Sequence, residues 1–229
     1  MKYFLDTADI KAIARLYELY PISGVTTNPT IISNENRDYL EILRDIRNVI
    51  GDESMLHVQT LSTNAETMIK EAEFLKEVIG GNLYIKIPVI PEGIKAIKIL
   101  KSKGMKITAT AIFTPQQALM AAVAGAHYVA PYVNRIDNIS CDGFNVVKEI
   151  VLLLNNYNLD TKVLAASFKN VQQIHNVALV GGHSITANPD LIDDLLKHPL
   201  TDWSVDKFIH DWEKIYGDKK MIMYNLHKK

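Results

Sequence analysis

The feature that most constrains this chain is an alternation of element types that runs from one end almost to the other. Short runs rich in Val, Ile, Tyr and Thr recur at Tyr3–Asp6, Ile22–Thr26, Met55–Thr60, Leu83–Pro88, Lys106–Thr110, Tyr128–Tyr132, Lys162–Ser167 and Ser184–Ala187, each bounded by turn residues or polar clusters. Longer segments with helical spacing separate them. Ile10, Ile13, Ala14, Leu16 and Tyr17 share one face of Asp9–Tyr20, and Ala65, Met68, Ile69, Ala72 and Leu75 one face of Asn64–Ile79. Asp9, Thr63 or Asn64, and Thr114 before Pro115 are N-cap candidates, and Pro91-Glu92 and Pro189-Asp190 open two more helices. Gly80-Gly81, Gly104 and Gly125 follow helical runs, where a left-handed residue ends a helix most cheaply.

Sustained strand–helix alternation builds parallel βαβ units. Eight such units fit an α/β fold of the closed (β/α)8 TIM-barrel type better than an open doubly wound sheet. No G-x-G-x-x-G follows the first strand, which agrees. One helix is left over after the eighth unit, from Ser204 to Tyr216. Its Val205, Phe208, Ile209, Trp212 and Ile215 are spaced to pack on this barrel or on a neighbouring subunit. The expected organisation is one domain over residues 1–217, with 204–216 as a docking helix and 218–229 as a basic, flexible tail.

Composition excludes whole classes. With 25 basic and 26 acidic residues the 229-residue chain has a formal net charge of −1, so it lacks the basic footprint of a nucleic-acid binder. Its longest apolar stretch, Ala118–Ala126, is less than half of the roughly 20 residues a membrane helix needs. Charge at Lys2 and Asp6 comes too early for a signal peptide, and the single cysteine, Cys141, rules out an intrachain disulfide. The expectation is a soluble cytoplasmic protein with no membrane and no nucleic-acid partner.

In a barrel of this kind chemistry sits at the carboxyl ends of the strands. Those ends carry Asp6, Thr26 with Asn28, Gln59, Lys86, Thr110, Tyr132 with Arg135, Ser167, and Thr186. Any one of them is ordinary as a cap or a satisfied core residue, but their recurrence at equivalent positions points to a site. In Tyr84-Ile85-Lys86-Ile87-Pro88 the alternation turns Lys86 into the barrel and both isoleucines toward the helices. Two readings of Lys86 stand side by side. Desolvation depresses the pKa of an interior ammonium and makes it a nucleophile for a carbonyl, or Lys86 pairs with Asp6 and fills space. Lys106 and Lys162 lie near the amino ends of their strands, where lysines reach solvent.

Arg135 and Ser167 suit an anion, and late βα loops of barrels often bind phosphate. Arg135 has a local alternative, a pair with Asp137, and Thr26-Thr27-Asn28-Pro29 reads also as a turn. The seven histidines show no metal-binding spacing, and neither a G-x-S-x-G elbow nor a P-loop is present. His57, alternating with Val58 and Gln59, reads as packing or surface rather than as a ligand.

Five ordered blocks carry a resemblance: Phe4–Asp9, Gly24–Pro29, Ile85–Pro88, Ala130–Asp137 and Leu164–Phe168. Together they resemble the short transaldolase family of class I aldolases, and within it the fructose-6-phosphate aldolases, from the first strand to Gly217. The resemblance implies a Schiff base between Lys86 and the C2 ketone of a sugar phosphate, without metal or cofactor. It implies Asp6 near the reacting hydroxyls and amine, and a catalytic water held by Gln59, Thr110 and Tyr132, with Tyr132 as acid/base. Thr26, Asn28 and Ser167 would contact the dihydroxyacetone part and Arg135 the phosphate. Gln59 and Tyr132 are of the aldolase type, where transaldolases generally carry Glu and Phe. The lyase is therefore expected, with the pentose-phosphate transaldolase as its nearest rival and an idle sugar-phosphate-binding barrel as a distant one. The resemblance also implies a homo-oligomer, pentameric or decameric, assembled through the last helix. The tail after Gly217 departs from the family's pattern.

Overall fold

The computed structural model describes residues 1–217; the basic tail expected at 218–229 lies outside the described residues. Eight parallel strands close into a barrel in sequence order: β1 (Lys2–Asp6), β2 (Ile22–Thr26), β3 (Met55–Gln59), β4 (Leu83–Pro88), β5 (Lys106–Ile112), β6 (Tyr128–Pro131), β7 (Lys162–Ala165) and β8 (Ser184–Ala187). Helices α1 (Ile10–Leu19), α2 (Pro29–Ser33), α3 (Tyr39–Ile50), α4 (Ala65–Ile79), α5 (Pro91–Ser102), α6 (Pro115–Val123), α7 (Val133–Asp137), α8 (Gly143–Asn156), α9 (Val171–Leu179) and α10 (Pro189–Asp194) fill the connections. The (β/α)8 barrel expected from the alternation is the observed fold.

The helices begin where their caps stand. Asp9 Oδ1 accepts from the amides of Lys11 and Ala12 at 2.9 and 3.1 Å. Asn64, not Thr63, caps α4, and Thr114 forms a reciprocal capping box with Gln117. Two short helices were not expected. α2 precedes α3 after β2, and α7 precedes α8 after β6, so Arg135 stands on a helical turn rather than at a strand end. Neither segment is long enough to show a 3.6-residue period, which is why pattern reading passes over both.

Inside the barrel the amino end is apolar and aromatic. Phe4, Met55, Tyr128 and Leu164 form a buried cluster with Tyr84 packed against it. Gly24 of β2 makes room for it: a Cβ there would meet the Met55 carbonyl oxygen at 2.2 Å and the Phe4 ring at 2.8 Å. Ile85 and Ile87 alternate with Lys86 and are fully buried beneath the helices, as the pattern of β4 requires.

The chain divides into two compact units, Met1–Ile192 and a second beginning at Asp193. The second unit carries α11 (Pro199–Tyr216), which starts five residues before the expected Ser204, with Pro199 in its first turn and His198 as its cap. No residue of α11 is buried; Trp203, Phe208 and Ile215 are 60, 69 and 75% exposed.

Candidate active site

Seven of the residues singled out at the strand ends line one cavity of about 380 Å³: Asp6, Asn28, Gln59, Lys86, Tyr132, Arg135 and Ser167. Register explains the meeting. Gln59 is paired with Lys86 across β3 and β4, Lys86 with Thr108 across β4 and β5, and Pro88 with Thr110 one step above. Side chains that alternate inward from neighbouring strands at the same height must share the barrel axis.

Lys86 is 5% exposed, and its Nζ donates to the Thr27 carbonyl oxygen at 2.6 Å. The space-filling pair with Asp6 is not what the structure contains. Asp6 instead accepts from Thr26 Oγ1 at 2.6 Å, and Thr26 Oγ1 lies 2.7 Å from Thr186 Oγ1. Thr26 thus stands behind Asp6 and orients it. Thr110 likewise stands behind Tyr132, with 2.9 Å between Thr110 Oγ1 and the phenol oxygen.

The local pair considered for Arg135 is also absent. Asp137 accepts from the Gly143 amide and from Gln173 Nε2 at 2.8 and 2.7 Å, while the Arg135 guanidinium lies 5.0 Å from the centre of the Tyr132 ring. The segments bearing Arg135 and Ser167 are sewn together: the amides of Val133 and Asn134 at the start of α7 donate to the carbonyls of Ala166 and Ser167 at 2.9 and 2.8 Å. Asn28 serves its bland role and faces the cavity too, since its Oδ1 caps α2 through the Ile31 amide at 3.0 Å.

Sequence reasoning missed Ala111 and the carbonyl of Thr27. Ala111 lines the cavity with φ 58°, and Ser167, which also lines it, has φ 62°. Two non-glycine residues in the left-handed region, each costing roughly 1–3 kcal/mol, mark backbone that its surroundings hold in place at this cavity. Residue type gives no hint of this at an alanine. Among the described residues no group of three or more His, Cys, Asp or Glu side chains is placed to hold a metal ion.

His57 lies one inward step below Gln59, fully buried, stacked on Tyr84 at 4.6 Å and edge-on to Phe4 and Tyr128. Its Nδ1 is 2.8 Å from Thr108 Oγ1. Burial first, and then the charge of Lys86, holds its pKa well below the ordinary imidazole value, so it is neutral in the native state. The unfolded chain takes up a proton at this residue below about pH 6.5, and the native chain does not. Stability contributed this way is complete above that value and is lost as pH falls through it. His57→Phe, which keeps the ring, should therefore lose about 1 kcal/mol less than the wild type between pH 7 and 5.5. Urea unfolding at both pH values measures this; equal losses would refute it.

Residues 3–227 match the family described as transaldolase/fructose-6-phosphate aldolase. The chain belongs to that family. It is 42% identical to a probable transaldolase of Geotalea daltonii over 94% of this chain and 99% of the relative. It is 39% identical to a probable fructose-6-phosphate aldolase of Streptococcus pneumoniae over 96% of this chain and all of the relative. A probable transaldolase of Aquifex aeolicus is 40% identical over 94% of this chain and 98% of the relative. The transaldolase/fructose-6-phosphate aldolase family is one of enzymes acting on sugar phosphates through a lysine Schiff base, and it covers both the lyase and the transferase activity.

Proposed function

We propose that the chain is a class I aldolase that reversibly cleaves fructose 6-phosphate to dihydroxyacetone and glyceraldehyde 3-phosphate, with Lys86 as its Schiff-base residue. The observation that carries this reading is Lys86 itself, buried in a polar cavity with Gln59 beside it and the Tyr132–Thr110 hydroxyl pair in the same wall. In its neutral form the Lys86 amine attacks the C2 ketone, and loss of water from the carbinolamine gives an iminium. The C4 hydroxyl gives up its proton to a base, Asp6 or a water held at Tyr132. The C3–C4 electron pair then flows into the iminium, releasing glyceraldehyde 3-phosphate and leaving an enamine. Tyr132, oriented by Thr110, delivers a proton to C3 through that water, and a second water hydrolyses the resulting iminium to dihydroxyacetone and free Lys86. Asn28 and Ser167 hold the dihydroxyacetone hydroxyls, Thr26 keeps Asp6 in place, and Arg135 takes the phosphate.

Transaldolase, the second reading, uses the same enamine but holds it for an acceptor aldehyde. A phenol beside the site favours protonation, and thus the lyase. A coupled assay with fructose 6-phosphate alone should yield glyceraldehyde 3-phosphate; strict dependence on erythrose 4-phosphate would overturn the lyase reading. Tyr132→Phe should slow acceptor-free cleavage by about 100-fold, the scale of a lost general acid, while sparing transfer to erythrose 4-phosphate. Equal loss of both reactions would remove Tyr132 from the protonation step.

The reading extends to a homo-oligomer in the cytoplasm. The exposed apolar side chains of α11 support an assembly, which light scattering on the purified chain tests. No helix among the described residues is long and apolar enough to cross a membrane.

A further inference from the structure

A second cavity, of about 290 Å³, opens at the other end of the barrel, beside the starts of β4, β6 and β7. It is lined by Tyr84, Tyr128 and His127, by Ala122 and Ala126, and by Lys101 and Lys162. Nothing in the reaction above uses it.

The hydrogen bonding at His127 is unusual. The Ile107 amide donates to His127 Nδ1 at 3.1 Å, so that nitrogen supplies its lone pair and the ring hydrogen sits on Nε2. Yet Lys101 Nζ lies 3.3 Å from Nε2. An ammonium has only donors, and so has this Nε2–H. Two donors therefore converge with no acceptor between them, an arrangement that an anionic oxygen would satisfy.

The wider field has the same sign. Lys106 opens β5 with its Nζ 5.5 Å from the centre of the Tyr84 ring, Lys162 opens β7, and Asp160 is the one carboxylate in the cavity wall. None of the ion pairs among the described residues involves Lys101, Lys106 or Lys162. Burial, followed by the charges of Lys101 and Lys106, lowers the pKa of His127, as an uncompensated positive field should. A bare anion would use only the cationic rim, because the aromatic and alanine walls offer it nothing.

We propose that this cavity is a second ligand site, for a small phosphomonoester whose phosphate accepts from Lys101 and His127 Nε2 and whose organic body lies against Tyr84, Ala122 and Ala126. It is separate from the Arg135–Ser167 position at the carboxyl ends of the strands, and it does not depend on the aldolase reading. A phosphate in this pocket gains two charge-assisted hydrogen bonds, and the body gains apolar burial.

Calorimetric titration of the full chain with phenyl phosphate, at ionic strength held constant with sodium chloride, tests this. Arg135→Gln removes the phosphate position of the active site, and saturable binding should persist in that variant. Adding Lys101→Gln, a change at an exposed side chain, should weaken the remaining binding at least tenfold. Inorganic phosphate should bind the Arg135→Gln chain at least fivefold more weakly than phenyl phosphate. Loss of all binding in Arg135→Gln alone, or an unchanged Kd after Lys101→Gln, would overturn the site, and equal affinities for the two probes would overturn the placement of the body. Should the Arg135 variant fold poorly, the wild-type chain gives the same answer, since Lys101→Gln should then remove one of two binding events. Failure of the active-site reading shows differently, as identical titrations of the wild type and Arg135→Gln.

Discussion

Lys86→Met should lower fructose 6-phosphate cleavage by at least about 1,000-fold and leave the barrel folded. Methionine keeps most of the stem's length and volume but has no amine to attack a ketone. Its cost to the fold is small because two effects oppose each other. The Thr27 carbonyl loses its 2.6 Å donor, a loss of about 1–3 kcal/mol for a buried acceptor. Against this, the polar amine of a residue only 5% exposed no longer has to be desolvated. The coupled glyceraldehyde 3-phosphate assay reads the rate, and circular dichroism reads the fold. Borohydride with fructose 6-phosphate should fix a three-carbon adduct to the peptide bearing Lys86 in the wild type and to none in the variant. A variant that turns over at the wild-type rate, or an adduct mapped to another lysine, would sink the assignment.

How much of this was legible beforehand follows from the length scale of each signal. The eight strands could be placed within a residue or two because each is a run of β-branched and aromatic residues closed by a turn, and Lys86 stood out because alternation along β4 forced a charge inward. Its true partner was not legible. A carbonyl carries no residue-type signature, so the Thr27 oxygen escaped notice while Asp6, a carboxylate, presented itself as the obvious counter-ion. The same blindness applied to Ala111, whose left-handed backbone depends on the irregular pairing of β5 with β6 rather than on its methyl group. The sequence reads Arg135 as a strand-end residue, whereas it stands on α7, because the five residues of α7 are too few to show a helical period. The pairing of Lys101 with His127 needs two segments 26 residues apart to meet, and only the closed barrel brings them together.

Gly93→Ala should lower the melting temperature by about 6 °C, opposite in sign to what helix propensity alone requires. Gly93 is the third residue of α5, where alanine in place of glycine would ordinarily stabilise by about 1 kcal/mol. Here a Cβ would lie 1.9 Å from the Pro88 carbonyl oxygen and 3.3 Å from Ile87 Cγ2. That oxygen belongs to the backbone and already accepts from the Ile90 amide, so it cannot swing aside; the start of α5 must move instead. Moving it disturbs Ala96, Ile97 and Leu100, all fully buried on the same helix, and strains the Glu92 contact to the Ala65 amide at the head of α4. Overpacking of this kind costs about 3 kcal/mol, more than the propensity gain returns, and in a chain of this length each kcal/mol is worth roughly 2–4 °C. The consequence reaches the chemistry because Pro88 is two residues beyond Lys86 on β4, with both side chains on the inward face. A shift of about 1 Å in a reacting group costs on the order of 100-fold in rate, so kcat assayed well below the melting point should fall by 10- to 100-fold. Ala96→Gly separates the two causes. It loosens the same helix without touching Pro88, so it should lower the melting temperature while leaving kcat near the wild-type value. A Gly93→Ala protein that melts higher than the wild type would show that α5 yields at its first turn and that the position of Lys86 does not depend on this contact.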